Sequence, residues 1–159
     1  MLRGAHSVSL DAKGRLAIPT RLRASLLGEC DGRLVCTLSV TDPCLLLFPL
    51  PAWERLEKRI SAMPASNAIA RSMQRILLGH AGDLEMDAAG RILLPSFFRE
   101  SAGWSADCRE LVLAGQLNRF EIWSRDGWQR RIADDLQAVR GADLSEIVEL
   151  KDFSLNDLG

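Results

Sequence analysis

The chain has 159 residues, 47% of them hydrophobic and 26% charged, with a net charge of −1, the balance of an ordinary globular protein with material for one or two compact cores. Its longest apolar run, residues 44–50, falls far short of the roughly 20 residues that cross a bilayer. The first fifteen residues lack the apolar stretch of a signal peptide, so a cytoplasmic protein without a membrane partner is expected.

In chain order, residues 7–10 (Ser-Val-Ser-Leu) predict a short alternating strand that runs into the turn Asp11-Ala12-Lys13-Gly14-Arg15. An aspartate at the start of such a turn accepts hydrogen bonds from backbone N–H groups two residues on, and Gly14 supplies the positive φ that closes it. A second strand over 15–18 stops at Pro19, which opens a helix over 19–27 ended by Gly28. Strands over 33–38 and 44–48 follow, then a helix over 51–63. Pro64 marks a break, after which Asn67 caps a helix with Ile69, Met73, Ile76 and Leu77 on one face.

The same order then begins again. A strand over 83–86, the turn Asp87-Ala88-Ala89-Gly90-Arg91, a strand over 91–94, a helix over 95–102 ending at Gly103, strands over 110–114 and 120–123 and a helix over 125–139 complete the chain. Beyond Gly141 the tail is acidic, with Leu144, Ile147, Val148 and Leu150 able to form a last helical turn. At a constant spacing of 76 residues, Asp11, Ala12, Gly14, Arg15, Pro19 and Arg23 reappear as Asp87, Ala88, Gly90, Arg91, Pro95 and Arg99. The chain is two copies of one unit, and a period this long with two copies is a fused pair of small domains rather than a solenoid.

The near-neutral total hides a polarised molecule. Residues 1–80 hold eleven Arg and Lys against six acids (+5), and residues 81–159 hold nine against fifteen (−6). Arg3, Lys13, Arg15, Arg21 and Arg23 crowd together with Asp11 as the single acid among them, a local basic patch that attracts phosphate. The cysteines at 30, 36, 44 and 108 form no C-x-x-C pair, and with only His6 and His80 there is no metal-ligand cluster. Reduced core thiols are expected, and neither metal nor cofactor. No Ser/His/Asp or Cys/His context, phosphate-cradling loop or repeated pair of carboxylates suggests an enzyme; His6, His80, Asp87 and Cys30 carry no catalytic motif.

Two D-x-x-G-R motifs about 75 residues apart, each followed by an apolar dipeptide and proline, resemble the MraZ family of bacterial transcriptional regulators. The resemblance implies a mixed α/β, β-rich fold in which two fused AbrB/SpoVT-like swapped-hairpin units form a small pseudo-two-fold barrel with flanking helices. On that pattern the units fall at 5–51 and 81–124, with a helical connection at 52–80 and a C-terminal helix and tail at 125–159. It implies a DNA-binding, nucleoid-associated regulator of the division and cell-wall gene cluster. The DNA would be short guanine-containing direct repeats upstream of the regulator's own gene, and the protein a ring-like homo-oligomer.

Carried onto this sequence, the DNA-binding residues are Arg15 with its support Asp11, Lys13 at the turn tip, and Arg3, Arg21 and Arg23 nearby. Arg15 is suited to a bidentate guanine contact, while Lys13, Arg21 and Arg23 neutralise phosphates without reading sequence. The second motif departs from the first: Ala89 replaces Lys13, and Asp83 and Glu85 precede it, so Asp87, Gly90 and Arg91 have a structural or weaker DNA role. The Asp11–Arg15 pair is equally an ion pair that fixes a hairpin, and the two roles are compatible. Trp53, Trp104, Trp123 and Trp128 read as core or subunit-contact residues rather than base-stacking platforms. An AbrB-type antitoxin-like module that binds a protein partner is the alternative.

Overall fold

Strands made by short alternating runs bury one face each, and here they find their partners both within a repeat and across to the other. The computed structural model describes residues 1–150. The first repeat contributes β1 (Leu2–Ser9), β2 (Arg15–Ala17), α1 (Thr20–Cys30), β3 (Arg33–Leu38), β4 (Leu45–Pro49), α2 (Leu50–Ser61) and α3 (Ala68–Gly79). The second contributes β5 (Gly82–Glu85), β6 (Arg91–Leu93), α4 (Ser96–Ser101), β7 (Glu110–Leu117), β8 (Arg119–Ser124) and α5 (Arg125–Gly141).

Six strands form one antiparallel sheet in the order β1-β7-β8-β4-β3-β5, and β2 pairs with β6 in a separate ribbon. β1 of the first repeat lies on β7 of the second, from Leu2↔Leu117 to Ser9↔Glu110, while β5 of the second lies on β3 of the first, from Arg33↔Glu85 to Cys36↔Gly82. Each strand pairing has its counterpart on exchange of the repeats, although β1 runs further along β7 than β5 does along β3. At β4 and β8, Leu45↔Ile122 and Leu47↔Phe120 change places about Leu46↔Glu121; in the ribbon, Arg15↔Leu93 and Ala17↔Arg91 change places about Leu16↔Ile92. A pseudo-two-fold axis therefore runs through both centres. The mixed α/β, pseudo-two-fold architecture implied by the resemblance is present, with the two sheet edges β1 and β5 continuing through the two turns into β2 and β6.

Inward positions explain why the repeats are joined. Leu16, Ile18, Leu34, Leu45 and Leu47 of the first pack in one cluster with Ile92, Leu94, Leu111, Leu113, Phe120 and Ile122 of the second, all of them buried. Each such side chain contributes about 1.5–3 kcal/mol on leaving water, and the main core they build is shared by the two repeats. A smaller cluster, Val35, Phe48, Ala52 and Trp53, joins α2 to the opposite face of β3 and β4.

Several boundaries differ from the sequence expectation, each for a physical reason. β1 starts at Leu2 rather than at residue 7, and β7 continues past residue 114 to Leu117, because the two strands extend each other. α1 runs through Gly28 to bury Cys30 one turn after Leu26; its stop is the left-handed pair Asp31 (φ 54°) and Gly32 (φ 72°). Asn67 caps α3 as expected, its side chain accepting from the Ala70 N–H at 3.0 Å, but the buried face is Ala70 and Leu77 while Ile69 is 70% exposed. Contact with β3 sets that rotation: the Thr37 hydroxyl donates to the Leu77 carbonyl at 2.7 Å.

The chain divides into a compact unit, Met1–Gly127, and a second that begins at Trp128. The second holds the remainder of α5, where Arg131 Nε meets Asp135 Oδ1 at 3.0 Å one turn on. Two short 3₁₀ turns follow, Leu144–Glu146 and Val148–Leu150, the first capped by Asp143, which accepts from the Ser145 N–H at 3.1 Å. The rest of the expected C-terminal tail lies outside the described residues. All four cysteines are free thiols, three of them buried. Burial raises the thiols of Cys36 and Cys44, the latter to about 12, which leaves them unreactive at neutral pH. No described helix is long and apolar enough to cross a membrane, and no described group of three His, Cys, Asp or Glu could hold a metal ion.

Candidate nucleic-acid interface

The first turn is built from its aspartate. Asp11 Oδ1 accepts from the backbone N–H groups of Lys13 and Arg15, both at 2.9 Å, and Oδ2 accepts from Arg15 Nε at 2.7 Å. The backbone closes with Asp11 N–H to the Arg15 carbonyl at 2.8 Å and Gly14 N–H to the Asp11 carbonyl at 3.0 Å, with Gly14 at φ 80°. One carboxylate thus fixes the loop and aims the arginine that leaves it.

The second turn repeats this atom for atom. Asp87 Oδ1 accepts from Ala89 and Arg91 N–H at 2.9 Å each, Oδ2 accepts from Arg91 Nε at 3.0 Å, and Gly90 has φ 76°. The side chains of Arg15 and Arg91 are 29% and 38% exposed, so neither ion pair adds much stability by itself, and its worth lies in orientation.

Ribbon register decides where the two arginines stand. Leu16 and Ile92 point into the core and are fully buried, so Arg15, Ala17, Arg91 and Leu93 occupy the opposite, solvent face. Arg15 faces Leu93 and Arg91 faces Ala17, which makes the arginines diagonal neighbours, roughly 7–8 Å apart between backbones. Two oriented guanidinium groups on one exposed ribbon, with Lys13 exposed at one tip and Ala89 at the other, are suited to an anionic surface.

The other expected site residues separate into two groups. Arg3 is exposed on β1, and Arg21 lies over that strand, its Nη2 donating to the Arg3 carbonyl at 3.3 Å and meeting His6 Nε2 at 2.9 Å. These cations flank a groove of about 490 Å³ lined by residues 5–9, residues 17–20 and Arg23. Arg23 is half-buried: its Nε donates to the Ile18 carbonyl at 2.7 Å, and its guanidinium lies against Gly90 of the second turn. Sequence reading placed Arg23 in the basic patch and did not see this contact. It also passed over Arg99, whose guanidinium lies beside Gly14, though less closely. The signal was available, since arginine recurs at this position in both copies while Lys13 and Arg21 become Ala89 and Phe97.

Electrostatics follow the geometry. Asp11 is held below the ordinary aspartate range, chiefly by the Arg15 backbone N–H and further by its side chain and the Lys13 N–H, against some desolvation; Asp87 is held down in the same manner by Arg91. A carboxyl whose folded pKa is depressed contributes stability above its unfolded pKa and loses it as pH falls through the folded value. As pH falls through the ordinary aspartate range, about 4, and on through the lower folded values, both turns are therefore expected to loosen, and Asp11→Asn should remove the first turn's share of that pH dependence. Melting temperature followed across the range in both proteins checks it; identical profiles would refute the assignment.

The family described as "MraZ protein, putative antitoxin-like" matches the chain twice, over residues 1–76 and 77–146. Among curated proteins, the "Transcriptional regulator MraZ" of Tolumonas auensis is 47% identical over 155 residues, covering 98% of this chain and all of the relative. Those of Idiomarina loihiensis and Sodalis glossinidius are 46% and 48% identical over the same coverage.

Proposed function

The chain belongs to the MraZ family, and from that membership we propose that it is a regulator of transcription that binds double-stranded DNA through its first turn and acts without catalysis. Its setting would be the bacterial cytoplasm, at the nucleoid. The observation that carries this reading is the pair of oriented Asp–Arg turns sharing the solvent face of the β2-β6 ribbon, with a lysine at the tip of the first. Arg15 contacts a base edge, bidentate to guanine O6 and N7, the commonest specific pairing. Lys13, Arg3 and Arg21 neutralise phosphates and set the salt dependence, and Arg91 contributes less because its turn lacks the lysine. The DNA is a set of short direct repeats upstream of the protein's own gene, in the division and cell-wall gene cluster.

Fluorescence anisotropy with that upstream DNA and a scrambled control tests the reading at two salt concentrations. Folded Arg15→Ala should lose selective binding by roughly 10–100-fold, the worth of one bidentate base contact, with Arg91→Ala much less affected. Absence of selective binding by the wild-type protein would sink it. The second reading, an antitoxin-like module gripping a protein partner, is favoured by the family's description and would then take its place.

A ring-like homo-oligomer is part of the proposal, because several weakly bound turns acting together give useful affinity. What supports it is a mismatch between pseudo-symmetric places. Where the first repeat has Ala17 and Arg21, the second has Leu93 and Phe97, 52% and 50% exposed, with Phe97 stacked on His80 at 5.5 Å. An apolar knob on one repeat and the groove beside β1 on the other are unlike surfaces, as head-to-tail contact requires. Light scattering should find several subunits in the wild type and fewer in Phe97→Asp; a wild-type monomer at micromolar concentration would refute it.

A further inference from the structure

Gly14 is a glycine for two reasons, and only one is its own backbone. At φ 80° a side chain would be strained, and an ideal Cβ there would stand 3.3 Å from Arg99 Nη2 and 3.2 Å from the Leu94 carbonyl oxygen. A guanidinium from the second repeat therefore rests on the first repeat's turn. The mirror contact, Arg23 on Gly90, is closer still. Backbone bonds tie the same segments, Leu94 N–H to the Gly14 carbonyl and Ile18 N–H to the Gly90 carbonyl, both at 2.8 Å. Each turn thus receives a backbone bond from the other repeat and has a guanidinium of that repeat lying beside its glycine.

The two braces are unequal. Arg23 is anchored through Nε on the Ile18 carbonyl, whereas Arg99 Nε is buried with no hydrogen-bond partner. Arg99 therefore lacks, at Nε, the anchor that Arg23 has there. What the Arg99 guanidinium has beside it is the glycine of the first turn, two atoms of chain from the residue proposed to read DNA.

We infer that Arg99 is a positioning residue of the first turn, holding from the second repeat the loop that aims Arg15, as Arg23 holds the loop that aims Arg91. The inference rests on the reading of Arg15 given above only for its consequence on DNA, not for the brace itself. The DNA-reading turn is then a composite of both repeats, and an acidic half of the chain is required for the basic half to bind selectively.

Hydrogen exchange by mass spectrometry on the full chain without DNA, read in peptides covering 10–16 and 86–92, is paired with the anisotropy assay in wild type, Arg99→Ala, Arg99→Lys, Arg23→Ala, Arg15→Ala and the Arg15→Ala/Arg99→Ala double variant. Arg99→Ala should speed exchange in 10–16 and leave 86–92 unchanged; Arg23→Ala should do the reverse. Selective binding should weaken about tenfold in Arg99→Ala, recover in part in Arg99→Lys, and be no weaker in the double variant than in Arg15→Ala. Unchanged exchange in 10–16, equal acceleration throughout the sheet, or full additivity would each overturn the inference. Selective loosening of 10–16 in a protein whose wild type binds no DNA selectively would uphold the brace and refute the DNA reading, so the two fail separately.

Discussion

Phe120→Ala is expected to cost about 3–5 kcal/mol and to weaken both repeats at once. Phe120 is fully buried on β8, opposite Leu47 of the first repeat on one side and Gly115 of the second on the other. Its ring lies in the cluster that holds Leu16 and Leu45 together with Ile92 and Ile122, so removing it opens a cavity both repeats must line. A small domain has only about 5–15 kcal/mol of net stability, which makes this loss a large share. Denaturant unfolding followed at one protein concentration by tryptophan fluorescence and circular dichroism should show one coincident transition shifted to lower denaturant. Two separate transitions would mean that each repeat has a core of its own. Ile69→Ala, at a position 70% exposed, should stay within about 0.5 kcal/mol of wild type.

The second large effect is at a turn. Gly90→Ala places a methyl group in left-handed backbone at φ 76°, about 1–2 kcal/mol for an L-residue, and drives it into the middle of the Arg23 side chain. Arg23 must leave, and its bond from Nε to the Ile18 carbonyl goes with it, at about 1 kcal/mol more. Gly14→Ala meets the same backbone strain, but its nearest neighbours stand at 3.2 and 3.3 Å and need yield only slightly. Gly90→Ala should therefore be the more destabilising of the two, although its turn has the smaller proposed role in DNA binding. In a double-mutant cycle, Arg23→Ala removes the collision in advance, so the pair should cost less than the sum of the single changes; strict additivity would show that Arg23 does not cover Gly90.

Both turns were legible in the sequence because their causes are local: an aspartate reaches N–H groups two and four residues on, and a glycine takes the positive φ. The repeat and the alternating strands likewise showed two copies of one unit and most of its elements, while the fold class and its pseudo-two-fold symmetry came from the family resemblance. The extent of β1 was not legible, because Arg3, Gly4 and Ala5 are exposed and carry no alternation; β7 decides where that strand begins. Nor was the work of Arg23 and Arg99, since both are cations beside a basic turn, and only the paired ribbon reveals a carbonyl or a glycine beneath each. The internal repeat nonetheless encoded the distinction. Of the positions kept in both copies, the Asp, Gly, first Arg and later Arg are those the structure uses to build and brace the turns, while Ala12 and Ala88 are kept and exposed. The positions that change in character, Lys13 to Ala89 and Arg21 to Phe97, are exposed on the surface, while buried positions exchange one apolar residue for another, as Leu16 for Ile92.

A symmetric dimer of identical subunits approaches DNA the same way round in either orientation, and the sites it prefers are palindromes. Here the two-fold relation governs the backbone but stops at the tips, one lysine and one alanine. Under the proposed DNA reading the molecule has a head and a tail on the duplex, so successive copies must all travel in the same direction along it. Inverting one repeat of a tandem site would then reverse a subunit against its neighbours, and in a closed ring only as many repeats can be read in step as there are turns able to face the duplex.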